Sequence, residues 1–444
     1  MSKYQQSKES IDSSLLLWDI RPTQTSVQET YDLIVYPSAV YDDTFGGPIT
    51  FKIPPQTNGC LSDVEIVTEW KVMKNTTELT DKQQVSVINN ISNAMWNFVD
   101  VQVGDRVNVM QSMENAYAYQ TFFNTALNNR EDREQYLGIS ETWYMDKGDN
   151  KKEANCLKFF ATSKVKKDEI KNEASAWRAL KIRLSKVIKS KAKLQTPLLN
   201  HSKVLPSRLR VSVTLSKNKN DFLVQAEEDD IKVKVKNVYL QCTFVRPRDS
   251  MLKLQEETLK KRPALYDIDY PEISLRTIST GSDQVTINNL FPNKLPKVAF
   301  FVLQKTSDLT GNHKTSPFVF ERMKSFQLYV NNHEHFPMPI KFDPDNKGES
   351  DFIDAYMQLY KAAGYEYEGD CMIAENNFNY NYIIGAVFTA DKQHAKHLNL
   401  QNEGETRVEI ELEDKDGGPF TLITYAIYDK LYKIDEHRNL TIIE

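Results

Sequence analysis

The sequence predicts an all-β protein in which one antiparallel unit is used twice. The first observation is a hairpin in the last forty residues. Val408, Ile410 and Leu412 alternate with Glu409, Glu411 and Glu413, the period of a strand with one face in a core and one in water. Asp416-Gly417-Gly418 supplies a turn, and the return run from Phe420 to Tyr428 is apolar or aromatic on both faces. Burial on both sides is expected for the return strand and on one side for the first. Val408, Ile410, Leu412, Phe420, Leu422, Tyr425 and Ile427 are therefore the core candidates. The second observation is an echo: Arg210-Val211-x-Val213-x-Leu215, a polar turn, then Phe222-x-Val224. The third lies upstream of each copy. Trp96–Val109 reads as strand, Gly104-Asp105 turn and strand, followed by a helical stretch at Met113–Asn129. Ser325–Phe336 reads as strand and Asn331-Asn332 turn, followed after a loop by a helical stretch at Asp351–Ala363. Two echoes in the same order indicate a tandem repeat.

Length and composition agree. At 444 residues the chain exceeds what one core supports, so two domains of about 200 residues are expected. Hydrophobic residues make up 40% and aromatics 11%, with 21 Tyr and 21 Phe that favour strands. The net charge of -5 lacks the basic footprint of a dedicated nucleic-acid binder. No apolar run is long enough to span a bilayer, and the polar start MSKYQQSKESIDSS has no signal core. A cytosolic origin is expected. Cys60, Cys156, Cys242 and Cys371 are far apart and form no CxxC, so buried free thiols are expected.

Taken in order, residues 1–22 read as a polar flexible arm whose Leu15, Leu16, Leu17 and Trp18 are the assembly candidates, able to dock on a neighbour. Strands are expected at Tyr31–Pro37, Pro48–Ile53 and Val64–Met73, punctuated by Gly46-Gly47-Pro48 and Pro54-Pro55. Gln83–Asn93 is open between strand and helix. Ser112 is an N-cap for the helix that follows, with Ala116, Tyr119, Phe123 and Leu127 on one face. Residues 130–198 read as a long, polar, strand-poor insertion, too large for a connecting loop. Within it Lys164–Lys193 is strongly basic. Leu180, Ile182 and Leu184 alternate with Lys181, Arg183 and Ser185, which leaves a half-solvated strand and a basic helix both open. This run either touches phosphates or is a solvated face. Ile231–Val245 alternates cleanly, with Lys232, Lys234 and Lys236 outward. Met251–Lys261 is a short linker helix. Strands follow at Ile273–Ile287, Pro296–Leu303, Phe318–Val330 and Tyr380–Thr389. Phe352, Tyr356, Leu359 and Ala363 form one helical face that Gly364 ends. Many strands and few helices point to sandwiches rather than a parallel sheet.

Catalytic motifs are missing: no GxSxG, Walker loop, GxGxxG or HExxH occurs. Asp343, Asp345, Gly348 and Asp354 stand at the first, third, sixth and twelfth places of a calcium loop. Lys347 holds a place that needs an oxygen, and no helix precedes it. The alternative is an acidic start to the next helix. His333 with His335, and His394 with His397, have no third ligand nearby in sequence. Asp267-Ile268-Asp269 reads as a turn. No cofactor, tightly held metal or catalytic residue is expected.

Several segments carry a family resemblance. Leu254–Tyr270 with the following EISLRTISTGSDQVTINNLFPNKLPKVAFFVLQKTSDLTGNHKTSPFVFERMKSFQLYVNN, the final FTLITYAIYDKLYKIDEHRNLTII and the hairpin NFVDVQVGDRV resemble double jelly-roll major capsid proteins. Those of Maverick/Polinton elements and adintoviruses are the most similar in pattern. The resemblance covers roughly half of the chain and is strongest from Met251 onward. Ser316-Pro317-Phe318 stands where the family has an NPF-like loop, a departure, and residues 130–198 match poorly.

The resemblance implies two tandem eight-stranded jelly rolls with a few short helices in the loops, over 23–247 and 248–444. As in adenovirus hexon, it implies homotrimers that form pseudo-hexameric capsomers and tile an icosahedral shell around a double-stranded DNA genome. The implied partners are other copies of the chain, penton or minor capsid proteins, and weakly the genome. The implied location is the virion, with synthesis in the host cytoplasm and assembly in the nucleus. Two other classes compete. A tandem jelly-roll glycan-active hydrolase would need paired carboxylates converging between the rolls. A vertex or minor capsid protein would need only one roll, against the internal repeat.

Overall fold

The computed structural model describes residues 20–443, except 22, 40, 42–45, 81–82, 105–106, 112–114, 147–172, 227, 229, 293, 313–314, 343–351, 366–368, 374–377, 379–380, 395–396 and 414–416. The first half contributes β1 (Val27–Val35), β2 (Ile49–Ile53), β3 (Cys60–Lys74), β4 (Trp96–Val103), β5 (Val107–Gln111), β6 (Ile188–Lys193), β7 (Val211–Lys217) and β8 (Ile231–Pro247). The second contributes β9 (Ala264–Ile278), β10 (Gln284–Asn288), β11 (Val298–Lys305), β12 (Met323–Val330), β13 (His333–Glu334), β14 (Ile384–Val387), β15 (Thr406–Leu412) and β16 (Phe420–Ile434). The helices that matter here are α1 (Ala116–Asn128), α2 (Glu134–Ser140), α3 (Glu173–Ile182), α4 (Asp249–Leu259) and α5 (Ile353–Ala363).

Strand order is the same in both halves. In the first, one antiparallel sheet runs β1-β8-β3-β6 and the facing sheet β2-β7-β4-β5. In the second, the sheets run β9-β16-β11-β14 and β10-β15-β12-β13. Each half is a jelly roll: two sheets closed over one core, with successive strands crossing between them. Ile340–Lys341 continues the β13 edge, and Leu440–Ile443 adds a strand beside β16.

Alternation sets the faces. Thr406, Val408, Ile410 and Leu412 of β15 are buried while the residues between them are half exposed. In β16 every residue from Phe420 to Ala426 is buried, on both faces, whereas Ile427 is only half-buried. Ile427 still packs against the core, at its margin. Lys232, Lys234 and Lys236 of β8 are exposed as expected. β1 pairs with Leu240–Pro247, and beyond it the Val233 N–H donates to Asn220 Oδ1 at 3.0 Å while the Val233 carbonyl accepts from Lys217.

Several expectations are corrected, and the choice left open at Leu180–Leu184 is decided. Phe222 opens no strand: Asn220–Leu223 is one helical turn, and Val224–Ala226 pairs with Val85–Val87. The counterpart of β16 is β8, beginning at Ile231. Leu180 and Ile182 lie in helix α3, and the basic strand starts later, at Ile188. It lies inside the 130–198 span yet is integral to the first sheet. Ile188, Ser190 and Ala192 share its inward face, and with only one large apolar residue among them the apolar period is weak. Asp267-Ile268-Asp269 is no turn but the middle of β9, and Ile273–Ile287 is two strands. Helix α1 begins at Ala116, after Asn115 at φ 60; Ser112 lies outside the described residues.

Candidate functional site

The two rolls meet along a seam built on α1. This helix follows the β4–β5 hairpin of the first roll but presents its aromatics to the second. Phe122 stacks on Phe318 with ring centroids 4.7 Å apart, and Phe123 stacks on Phe320 at 5.9 Å and Tyr425 at 5.2 Å. Tyr119 meets Phe318 edge-on at 5.5 Å, and Phe222 joins it at 6.1 Å. Offset and edge-on packing of this kind contributes beyond area burial alone. The Met372 N–H donates to the Ala126 carbonyl at 3.0 Å. Gly311 (φ 88) lies so near the Phe222 turn that a Cβ would sit 2.4 Å from Phe222 Cα. The outer face of β16 is buried because the other roll covers it.

A polar margin continues the seam around a cleft of about 540 Å³. Buried Lys297 donates to Asp429 at 2.9 Å and to Asp269. Asp429 also accepts the Asn399 N–H at 2.9 Å. The Tyr266 hydroxyl donates to the Val204 carbonyl at 2.9 Å, Lys203 pairs with Asp267 at 3.0 Å, and Arg438 donates to the Ser207 carbonyl at 2.8 Å and to Glu256. Asp267 and Asp269, misread as a turn, are thus seam residues on an open strand face. Their lysine partners lie far away in sequence, so no local pattern marked them.

His394 and His397 both line the cleft, but neither histidine pair gains a third ligand among the described residues. His335 stacks on Phe388 at 5.1 Å, and burial pushes its imidazole down to about 4. His397 pairs with Asp391 at 3.0 Å. Among the described residues no three His, Cys, Asp or Glu side chains form a metal site. Asp343 and Asp345 lie outside the described residues; Asp354 lies in the first turn of α5. Leu15, Leu16, Leu17 and Trp18 also lie outside them. Cys60, Cys242 and Cys371 are free and buried; Cys156 lies outside the described residues.

Above the first roll, α2 and α3 form a cap that sequence reading missed. Its anchor is Arg178, wholly buried. The guanidinium donates to the Val87 carbonyl at 2.8 Å, the Tyr144 carbonyl at 2.7 Å and Asp146 at 2.6 Å. Arginine's rigid fork suits three fixed acceptors. Around it, Tyr136, Ile139, Trp177, Leu180 and Leu184 are exposed. Beside the cap, Lys191 pairs with Glu65 and Lys193 with Asp63 across the β6–β3 ladder. That part of the basic run faces carboxylates. No helix among the described residues is long and apolar enough to cross a membrane.

This architecture has solved counterparts. A chain of the Sputnik virophage superposes with a TM-score of 0.61 at 11% identity, covering 98% of this chain and 93% of that one. A chain of the PBCV-1 capsid gives 0.56 at 12%, covering 96% and 99%. The mavirus major capsid protein gives 0.56 at 10%, covering 98% and 95%. The fold is the viral double jelly roll. In sequence, the chain is 24% identical over 271 residues to the uncharacterized protein F54H12.2 of Caenorhabditis elegans. That match spans 56% of this chain and 61% of the nematode protein. No family model matches.

Proposed function

We propose that this chain is a structural major capsid protein and not an enzyme. Three chains close into a pseudo-hexagonal capsomer, and capsomers tile an icosahedral shell around a double-stranded DNA genome. The observation that carries this reading is the locking of two rolls of one strand order by a shared aromatic seam. Two similar rolls make two of six sides, so a ring of three chains approximates a hexagon. Its interfaces are heterologous, roll one of one chain against roll two of the next, and close at three. The exposed apolar side chains of the α2–α3 cap suit contact between chains. The rolls span residues 23–247 and 248–444. Penton or minor capsid proteins are the further partners, and the virion is the place of action. Assembly in the nucleus and a Polinton or adintovirus origin belong to the same reading.

The hydrolase reading requires carboxylates free to act between the rolls. Asp269 and Asp429 do converge there, but both are engaged by Lys297. That pairing ties strands together and supports the structural role. The deciding measurement is light scattering behind a sizing column, at micromolar and nanomolar loads. Obligate interfaces bury more than about 2,000 Å², so a mass of three chains is expected at both loads. A stable monomer would overturn the reading.

A further inference from the structure

An apolar groove of about 440 Å³ runs beside α4, where the first roll passes into the second. Pro206, Leu254, Leu259, Pro263, Leu265 and Tyr266 line it. Leu254 is 55% exposed and Leu265 48%. No residue of α4 is buried. A helix with leucines on its surface, laid along an apolar groove, lacks a cover.

The chain itself supplies one of the right size and place. The Arg248 N–H donates to the Ser26 carbonyl at 2.9 Å. The polypeptide therefore enters β1 beside the start of α4. Val27 pairs with Pro247, and Cys60, which also lines the groove, pairs with Val245. The entry point and the groove thus share one end of the sheet. Upstream lies a segment whose single apolar run is Leu15-Leu16-Leu17-Trp18. Extended, the stretch from Trp18 to Val27 reaches up to ~30 Å. The length of α4 is ~16 Å, and two strand spacings across the sheet add ~10 Å. The whole groove is within reach of the same chain. Asp12 and Asp19 flank the apolar run, and the basic side chains Lys260, Lys261 and Arg262 are exposed just beyond α4, whose own charges include Asp249, Glu256 and Glu257.

We propose that this groove is the seat of Leu15–Trp18 of the same chain, folded back over α4. The proposal concerns one chain and stands apart from how many chains make a capsomer. The test is a full-length Leu16→Cys, Leu254→Cys variant, oxidised at low concentration and mapped by peptide mass spectrometry. An intrachain bridge between the two positions is expected. A control with Leu16→Cys and Met338→Cys, the latter exposed in the second roll, should not bridge. Equal bridging in the control, no bridging at Leu254→Cys, or a bridge joining two chains would each overturn the proposal. Hydrogen exchange gives a second readout. Leu17→Ser with Trp18→Ser should remove amide protection over residues 249–266, and unchanged protection would overturn it.

Discussion

Glu141, at the end of α2, is buried in the first roll, and its Oε2 accepts from Asn93 Nδ2 at 3.2 Å. Burial pushes its carboxyl up to about 7 from the ordinary 4.5. Between those values the folded chain holds a proton that the unfolded chain has released. The stability this group contributes is fully present below about 4.5 and is lost as pH rises through about 7. The loss is at most about 3 kcal/mol. Urea midpoints of wild type should therefore fall from pH 5 to pH 8 relative to Glu141→Gln; parallel curves would refute the assignment. Arg178 makes the opposite kind of case, a charge held in place by its partners. Arg178→Ala should cost about 3–5 kcal/mol by removing the cation beside buried Asp146. Arg178→Lys should not restore it, because an ammonium cannot meet three fixed acceptors as a fork does. Denaturant titration of the two variants checks both statements. Neither residue could be singled out in the sequence. The environment of each comes from Asn93, Val87 or Tyr144, placed there by folding.

At the scale of elements, α1 is the piece that joins the rolls. Its apolar face was legible, since Tyr119, Phe123 and Leu127 recur at helical spacing. That the face serves the other roll was not legible, because periodicity says how much of a helix is buried and nothing about what covers it. Phe123→Ala should cost about 3–5 kcal/mol, through lost transfer and a cavity between Phe320 and Tyr425; chemical denaturation measures it. Gly311→Ala tests the same seam from the other side. It forces a side chain into a left-handed backbone and against the Phe222 turn. It should cost on the order of 1–3 kcal/mol, with faster hydrogen exchange at residues 306–317 and 220–223. Normal exchange there would mean the two backbones are not held together. Gly364 shows the legible kind of glycine: it ends α5 at φ 84, as its place after the apolar face predicts.

For the whole molecule, local pattern determined the class and the repeat. Strict alternation at Val408–Leu412, the doubly apolar run from Phe420 and the echo at Val211–Leu215 suffice to indicate paired sheets used twice. Each signal depends only on which neighbours along the chain are apolar, and a strand shows that in its own sequence. Tertiary structure decided the rest. It made Ile231, not Phe222, the start of the strand that answers Phe420, because pairing partners are chosen across the sheet. It recruited Ile188–Lys193, with Ile188 as its one large inward residue, into the sheet against β3, where Lys191 and Lys193 pair with Glu65 and Asp63 across the ladder. It turned Asp267 and Asp269 from a supposed turn into the charged margin of a seam. It also left Ile427 half-buried, beside the cleft that continues the seam. The sequence alone specifies each strand's two faces; what lies against a face is set by chain segments hundreds of residues away, which only folding brings together.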